Sequence, residues 1–167
     1  MAEMLIRPAR PGDVVALTAL YNHYVETSPA TFDLKPRSLE ERVEWLGHYG
    51  ERGRHRLLVA FDADALLGYA GTSRFRPKAA YDSSVEMTVY VAPGQTSRGV
   101  GRALYRELFD ALAGEDVHRA YAGITLPNAA SLALHRAFGF EPVGTFDEAG
   151  SKFGRYWSVQ WLQKRLR

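Results

Sequence analysis

Apolar residues recur every three or four positions in two segments near the N-terminus, which predicts two amphipathic helices. Asp13 is the candidate N-cap of the first helix. The apolar stripe of this helix consists of Leu17, Leu20, Tyr21, Tyr24 and Val25. The second helix begins at the capping-box pattern of Ser38 to Glu41 and ends near Gly47 to Gly50. Its inward-facing residues are predicted to be Leu39, Val43 and Leu46.

Shorter apolar runs, bounded by turn residues, predict strands. The predicted strands lie at 5–9, 56–61, 66–71, 84–91, 119–125, 140–146 and 156–162. Two further helices are predicted, one from Gly101 to about Gly114 and one from Asn128 to Phe138. The resulting order, β-α-α-β-β-β-α-β-α-β-β, is typical of a mixed α/β protein without internal repeats.

Composition narrows the class of protein. The chain has 167 residues, about the size of one domain, so we expect a single domain over 1–167. The net charge of +2 does not favour nucleic-acid binding, and no apolar run approaches the ~18 residues of a membrane span. The chain has no cysteine, which excludes disulfides, cysteine-ligated zinc and thiol nucleophiles and fits a cytoplasmic protein.

The predicted strand 84–91 and the glycine-containing loop behind it are the most informative segment. Every second residue of the strand is apolar, and Glu86 lies on the opposite face. The loop 97–102 then opens a helix, where free backbone N–H groups and the helix dipole favour phosphate groups. A simple helix start with a solvated row of arginines (Arg98, Arg102 and Arg106) is the structural alternative.

Two nucleotide-binding motifs are excluded. A dinucleotide-binding fingerprint requires a third small residue where this chain has Leu104. A P-loop requires Gly-Lys followed by Ser or Thr, and the chain lacks that sequence. Neither NAD nor ATP is therefore predicted as a ligand.

Several segments together resemble the GNAT N-acetyltransferase superfamily. They are the strand that carries Glu86, the Arg-Gly-Val-Gly loop, the segment from Asn128 to His135 and Phe138-Gly139-Phe140. They follow the order of the acetyl-CoA motifs of that superfamily. The superfamily has a Gln/Arg-x-x-Gly-x-Gly/Ala signature. This chain departs from it at the first position, where Thr96 stands in place of Gln or Arg.

Other segments resemble the phosphinothricin acetyltransferase-like subfamily in particular. They are Tyr21 to Val25, Ala80-Tyr81-Asp82 and Lys152 to Trp157, and the likeness extends over nearly the whole chain. Trp157 stands where the herbicide-specific members carry a histidine. The resemblance implies a GNAT fold, in which a mixed, mostly antiparallel central sheet is flanked by helices.

The resemblance also implies that acetyl-CoA is the cosubstrate, without a metal. In this family the pantetheine arm lies along the fourth strand, and the loop before the next helix holds the pyrophosphate. The residues thereby implied to bind acetyl-CoA are Val89, Tyr90, Val91, Ser97, Arg98, Gly99, Val100, Gly101, Arg102, Asn128 and Ser131. A backbone N–H near the fourth strand would polarise the thioester carbonyl.

Glu86 is the candidate general base, because the family often uses a carboxylate on this strand to take the proton of the incoming ammonium. A glutamate that faces solvent or pairs with an arginine is the structural alternative. His135 stands where many members carry a tyrosine proposed as general acid, and it is the second catalytic candidate. A thiol with a pKa near ~8.5 needs little protonation as it leaves, which weighs against that role.

For the acceptor, the subfamily implies a small amino acid such as phosphinothricin, methionine sulfone or methionine sulfoximine. Arg76 matches a substrate-contacting position, with Arg74 and Tyr81 as neighbours. The alternatives are a protein or peptide N-acetyltransferase and a non-catalytic acyl-CoA sensor.

The subfamily is usually dimeric, so a homodimer is expected, with Trp157 and Trp161 either at the interface or in the core.

Overall fold

The computed structural model describes residues 4–167 and contains a seven-stranded sheet covered by helices. The strands are β1 (Leu5–Pro8), β2 (Leu57–Asp62), β3 (Ala65–Arg74), β4 (Ser84–Val91), β5 (Arg119–Thr125), β6 (Glu141–Lys152) and β7 (Arg155–Arg165). The helices are α1 (Val14–Thr27), α2 (Leu39–Leu46), α3 (Val100–Leu112) and α4 (Ala129–Ala137). The strand order is β1-β2-β3-β4-β5-β7-β6, and only β4 and β5 are parallel neighbours. The predicted order of elements and the mostly antiparallel sheet are confirmed.

One face of the sheet carries the larger apolar core. Helix α3 packs Leu104 and Leu108 there against Val85 and Met87 of β4, and all four side chains are buried. The leucines recur at helical spacing and the β4 residues at strand spacing, so each element presents one apolar side. The packing fixes the start of α3 close to the end of β4.

The other face of the sheet carries a second core around Tyr69, covered by α1 and α2. Glu86, Thr88 and Tyr90 of β4 lie on this face because strand side chains alternate. Glu86 pairs across the sheet with Ser73 of β3, and Tyr90 pairs with Tyr69. The predicted alternation of β4, and with it the orientation of Glu86 away from the valines, is confirmed.

Strands β4 and β5 separate after a short parallel pairing. They share three residue pairs, from Ser84 with Arg119 to Glu86 with Tyr121. β4 then continues to Val91 and stays paired with β3 over its full length. The edge of β4 that faces β5 has no ladder partner beyond Glu86, so its backbone N–H and C=O groups are open to a ligand.

Asp13 does not cap α1 as predicted. It ends a short 3-10 turn, Pro11–Asp13, and its carboxylate accepts hydrogen bonds from the Arg10 backbone (2.7 Å) and from Arg7 (2.7 and 2.8 Å). Hydrogen bonding to Arg7 lowers the pKa of Asp13. The side chain therefore ties β1 to the start of the helix and does not bind the helix's own N–H groups.

The predicted inward face of α2 is wrong for Leu39 and Val43, whereas Leu46 packs against the second core as predicted. Leu39 and Val43 are 48% and 55% exposed, whereas Arg42 is 4% exposed. The Arg42 guanidinium carbon lies 3.5 Å from the centre of the Trp45 ring and 4.4 Å from that of Tyr21. Aromatic faces stabilise a cation at such distances, so α2 turns Arg42 toward the sheet and leaves two apolar residues outside.

The start of α2 and the lengths of β6 and β7 can also be compared with the predictions from the sequence. The capping box is confirmed, since Glu41 N–H donates to Ser38 Oγ (3.2 Å) and Ser38 N–H to the Glu41 carboxylate (2.7 Å). Strands β6 and β7 extend beyond the predicted 140–146 and 156–162 and form a long hairpin. Its β6 strand is exposed along most of its length.

Candidate active site

A cleft of about 430 Å³ lies where β4 and β5 separate, and we call it the β4–β5 cleft. One wall is the open edge of β4 from Met87 to Val91, and the opposite wall is β5 from Ala122 to Thr125. Residues of helix α4 and of the start of α3 also line it. A strand edge offers alternate N–H and C=O groups to a ligand, as a neighbouring strand would.

The start of α3 provides the polar end of this cleft. Gly99 adopts a left-handed conformation (φ 74°), which glycine tolerates best, and the first intrahelical bond runs from Ala103 N–H to Gly99 C=O. The N–H groups of Val100, Gly101 and Arg102 therefore have no partner within the helix. Such a group of N–H donors at the positive end of a helix dipole suits a pyrophosphate.

The side chains of this loop divide into two groups. Arg102 lines the β4–β5 cleft, and Gly101 leaves room there because a Cβ would lie 3.2 Å from Leu134. Val100 is fully buried in the core and does not line the cleft. Arg98 donates instead to Asp62 (3.1 Å) and Gln95 (2.8 Å).

Eight of the predicted acetyl-CoA residues line the cleft. They are Val89, Tyr90, Val91, Gly99, Gly101, Arg102, Asn128 and Ser131. Ser97, Arg98 and Val100 lie in the same loop but do not line the cleft. The side chains of these three residues therefore do not form part of the cleft wall, and the residues support the loop that does.

Asn128 connects the cleft to α4. Its side-chain oxygen accepts a hydrogen bond from Ser131 N–H (3.1 Å) and so caps the helix. The amide nitrogen of the same side chain makes no bond in this cap and remains a donor at the cleft wall. This geometry agrees with the predicted contact between a cofactor and the Asn128 amide.

His135 lies at the cleft wall, but both of its ring nitrogens are engaged. Nδ1 lies 2.7 Å from the carbonyl of Ser131, and Nε2 lies 2.7 Å from the hydroxyl of Tyr105. Because a carbonyl only accepts, Nδ1 carries the proton and Nε2 accepts from Tyr105. Burial lowers the pKa of His135, so the ring is neutral and has no proton to spare. The arrangement favours a structural role over that of a general acid.

Tyr24 links α1 to the cleft. Its hydroxyl donates to the carbonyl oxygen of Val91 at 2.5 Å. One of the backbone acceptors on the open edge of β4 is thus already satisfied by the protein. Sequence reasoning placed Tyr24 in the apolar stripe of α1 and missed this contact.

A second and larger cavity, of about 780 Å³, lies on the α1–α2 face of the sheet. We call it the aromatic cavity because Tyr21, Trp45, Tyr49, Tyr69 and Tyr90 supply much of its wall. Burial raises the pKa of Tyr49 to about 12, so its hydroxyl stays protonated. The cavity also contains charged groups, which an apolar core would not tolerate without a polar occupant or solvent.

An ion-pair network forms one wall of the aromatic cavity. Arg37 donates to both oxygens of Asp33 (2.8 and 2.9 Å) and to Glu41 (3.2 Å). Asp33 also accepts from the Tyr21 hydroxyl at 2.5 Å, and hydrogen bonding to Arg37 lowers its pKa. The loop 28–38 thereby acquires a fixed position over the cavity.

Lys152 of β6 holds the same loop from the other side. Its buried ammonium donates to the carbonyl oxygens of Ser28 and Thr31, both at 2.8 Å. Phe32 lies against Gly150, where an added Cβ would come within 2.2 Å of the ring. The C-terminal hairpin therefore helps to shape the aromatic cavity, although it is distant in sequence.

Glu86 lies on the cavity face of β4, two residues before Thr88. The seven ion pairs formed within residues 4–167 do not include it. Burial raises the pKa of its carboxyl group, and the positive charge of Arg76 opposes that shift. An unpaired carboxylate with a raised pKa is suited to accept a proton near neutral pH.

The predicted acceptor-binding residues do not form one cluster. Arg74 lines the aromatic cavity and contacts Asp82 (3.4 Å) and the Pro77 carbonyl (2.6 Å). The Arg76 guanidinium carbon lies 4.5 Å from the centre of the Phe75 ring, and Arg76 is near enough to Glu86 to lower the pKa of its carboxyl group. Tyr81 is exposed and contacts the Phe75 ring from its edge. Arg76 and Tyr81 therefore lie beside the cavity and not in its wall.

Sequence reasoning missed most of the cavity wall. Arg42, Trp45 and Tyr49 lie on or just after α2, where the apolar pattern favoured Leu39 and Val43. The available signal was the spacing of Arg42, Trp45 and Tyr49, which places all three on one side of a helix.

Among residues 4–167 no cluster of potential metal ligands is present, and no helix has the length and apolarity needed to cross a membrane.

Comparison with known proteins identifies the family. Residues 6–161 match the model of the GNAT acetyltransferase domain. A phosphinothricin N-acetyltransferase from Streptomyces coelicolor is 56% identical over 167 residues, which cover 99% of this chain and 98% of the relative. The chain belongs to the GNAT acetyltransferase family. It is an N-acetyltransferase that uses acetyl-CoA.

Other relatives agree with this assignment. An L-methionine sulfoximine/L-methionine sulfone acetyltransferase from Pseudomonas aeruginosa is 35% identical over 162 residues, or 96% of this chain and 94% of the relative. The solved phosphinothricin acetyltransferase of Sinorhizobium meliloti, in complex with acetyl-CoA, has a TM-score of 0.88 at 32% identity and covers 97% and 88% of the two chains. yncA from Salmonella typhimurium, solved with its cofactor acetyl-CoA, has a TM-score of 0.91 at 31% identity, with 98% and 94% covered. The acetyltransferase fold predicted from the sequence is confirmed.

Proposed function

We propose that this acetyltransferase acts on the amine of a small amino acid such as phosphinothricin, methionine sulfone or methionine sulfoximine. The acetyl group passes directly to the amine in a ternary complex, within a single domain over 1–167. Relatives named for these acceptors support the acceptor class. The arrangement of the two cavities supports the ternary complex.

The observation that carries the proposal is that the β4–β5 cleft and the aromatic cavity meet at β4. Thr88 and Tyr90 line both spaces. A thioester held in the cleft and an amine held in the cavity therefore lie on either side of the same two residues. Direct transfer requires such proximity.

The cleft suits acetyl-CoA by its hydrogen-bond donors. The open edge of β4 would take the pantetheine arm, with a backbone N–H toward the thioester oxygen, and the N–H groups of Gly101 and Arg102 would face the pyrophosphate. The Arg102 side chain adds a positive charge and the Asn128 amide adds a donor. When bound, acetyl-CoA supplies a thioester carbonyl carbon open to attack by an amine, with the CoA thiolate as leaving group.

Glu86 prepares the amine. An amino acid carries an ammonium group near neutral pH, and the nitrogen must lose a proton to attack. Glu86 accepts this proton directly or through a water, and its raised pKa makes it a stronger base than an ordinary glutamate. Glu86 lies two residues, or about 6.6 Å along the strand, from Thr88 at the junction of the two spaces. His135 is not required, because a thiolate whose acid has a pKa near ~8.5 leaves without protonation.

The aromatic cavity favours an acceptor with acidic groups. Three arginines line it (Arg37, Arg42 and Arg74), against two carboxylates (Asp33 and Glu41). Arg76 adds a positive charge beside Glu86. An amino acid that presents a carboxylate to these cations leaves its amine free to approach the cleft.

The test is release of CoA thiol from acetyl-CoA over a panel of acceptors. The panel consists of phosphinothricin, methionine sulfone, methionine sulfoximine, the common amino acids and several peptides. Saturable turnover with an acidic or sulfonyl amino acid supports the proposal. Activity confined to peptides would favour a protein-modifying enzyme, and acetyl-CoA binding without turnover of any amine would favour a sensor.

We also propose that the protein is a cytoplasmic homodimer. The β6–β7 hairpin supports the dimer, because it carries four exposed apolar or aromatic residues close together in sequence. They are Val143, Phe146, Phe153 and Tyr156. Trp157 and Trp161, the two tryptophans weighed as interface residues, are partly buried within the chain. Sedimentation at micromolar concentration tests the dimer, and a monomer would contradict it.

A further inference from the structure

Arg42 is a buried cation whose donors are not satisfied. Its side chain is 4% exposed, yet Nε and Nη2 have no hydrogen-bond partner within the described residues. Leaving a charged donor buried and unpaired is costly, and such groups are usually paired with a carboxylate or a ligand. The rings of Trp45 and Tyr21 stabilise the guanidinium but supply no hydrogen-bond acceptor for its edge.

The other arginines of the aromatic cavity already have partners. Arg37 is paired with Asp33 and Glu41, and Arg74 contacts Asp82 and a backbone carbonyl. Both are also much more exposed than Arg42. Arg42 is therefore the cation of this cavity that gains most from the arrival of an anion.

Arg42 and Arg74 reach the aromatic cavity from different elements, α2 and β3. Arg42 stacks on Tyr21, whose ring centre lies 5.7 Å from that of Tyr90. Arg74 follows Ser73, the cross-strand partner of Glu86. Glu86 and Tyr90 are four residues apart on one strand, or about 13 Å. An amino acid with its amine near Glu86 can therefore be met by two separate cations, Arg74 and Arg42.

We propose that Arg42 determines acceptor specificity by binding the side-chain oxyanion of the acceptor, such as a phosphinate. This inference rests on the proposed function, because it assumes an amino acid in the aromatic cavity. Nε and Nη2 form one edge of a planar guanidinium, and two oxygens on one phosphorus or sulfur match that edge. Both nitrogen atoms are buried in this structure, so binding requires that the guanidinium turn this edge toward the cavity that the residue already lines.

The test compares two acceptors that share an α-amino acid group and differ in side-chain charge. Phosphinothricin carries a negative phosphinate, whereas methionine sulfone carries neutral sulfonyl oxygens. We expect Arg42→Met to lower kcat/KM about 100-fold for phosphinothricin and about 10-fold or less for methionine sulfone, since a charge pair is lost only with the former. The KM for acetyl-CoA stays near its wild-type value.

Arg37→Met is the matched control, because Arg37 lines the same cavity with its charge already paired. We expect it to change kcat/KM by the same factor for both acceptors. Equal losses for the two acceptors in Arg42→Met would overturn the inference. Absence of turnover with any amino acid by the wild-type protein would instead overturn the proposed function, and the inference with it.

Thermal unfolding separates recognition from a folding role. Replacing a buried, unpaired charge by an apolar residue of similar length is expected to keep or raise the Tm. A folded Arg42→Met protein with a retained Tm and altered acceptor preference supports the inference. If Arg42→Met does not fold, Arg42→Lys provides the second variant, and it is expected to lose phosphinothricin preference because an ammonium lacks the bidentate edge. Unchanged preference in Arg42→Lys would contradict the inference.

Discussion

The β4–β5 cleft presents mostly backbone to its ligand, whereas the aromatic cavity presents mostly side chains. In the cleft, an open strand edge and the first N–H groups of α3 are the main polar groups. In the cavity, the polar groups include carboxylates, guanidiniums and hydroxyls from two helices, two strands and the loops between them. A backbone site keeps its chemistry when side chains change, but a side-chain site changes with each substitution. On the proposed function, binding of acetyl-CoA and choice of acceptor thus depend on separate parts of the chain.

The largest expected effect is at Glu86, two residues before Thr88 at the junction of the two spaces. Glu86→Gln removes the proposed base and keeps the size of the side chain, so kcat/KM is expected to fall by about 100- to 10,000-fold. The Kd for acetyl-CoA, measured by calorimetry, is expected to stay constant because Glu86 faces the cavity side of β4. Turnover close to that of the wild-type protein would remove Glu86 from its role.

A second change acts on the cleft alone. Arg102→Gln removes a positive charge from the cleft wall, and the Kd for acetyl-CoA is expected to rise about 10-fold, the value of a hydrogen bond to a charged group. The KM for the acceptor should not change. Arg106→Gln is the matched control, since Arg106 lies one turn further along α3 and does not line the cleft. Equal effects of the two variants would indicate general electrostatic attraction.

The local character of the cleft explains why it could be predicted from the sequence. The strand, the loop with Gly99 and Gly101, and the helix that follows are contiguous, and their periodicity and glycines carry the geometry. The aromatic cavity could not be predicted in the same way. Its residues come from segments far apart in sequence, and Arg42 occupies an inward position where hydrophobic pattern rules expect apolar side chains.

A third change acts on the cavity through the C-terminal hairpin. A Cβ at Gly150 would lie 2.2 Å from the Phe32 ring, so Gly150→Ala must displace this ring, which belongs to the loop that carries Asp33. We expect a several-fold rise in acceptor KM and a loss of stability of about 1–3 kcal/mol, with acetyl-CoA binding retained. Gly144→Ala on the same strand meets nothing within 4 Å and serves as the control. Identical kinetics in the two variants would show that Phe32 does not position the loop.

The smallest expected effect concerns the pH dependence of kcat/KM. Glu86 must be deprotonated to act as base, so activity falls as pH drops through its raised pKa. Arg76 lowers that pKa, and Arg76→Ala should therefore move the acidic limb to higher pH. Lys78→Ala is the control, because Lys78 is not among the charges that act on Glu86. A shift to lower pH in Arg76→Ala would contradict this arrangement.

We propose that the cleft and the cavity are occupied together and that the acetyl group passes directly between them at β4. Initial rates measured while both acetyl-CoA and phosphinothricin are varied distinguish this order of events from transfer through an acetylated enzyme. Intersecting lines in double-reciprocal plots are expected, since both substrates must be bound before transfer. Parallel lines, which indicate release of CoA before the acceptor binds and an acetylated enzyme in between, would contradict the account.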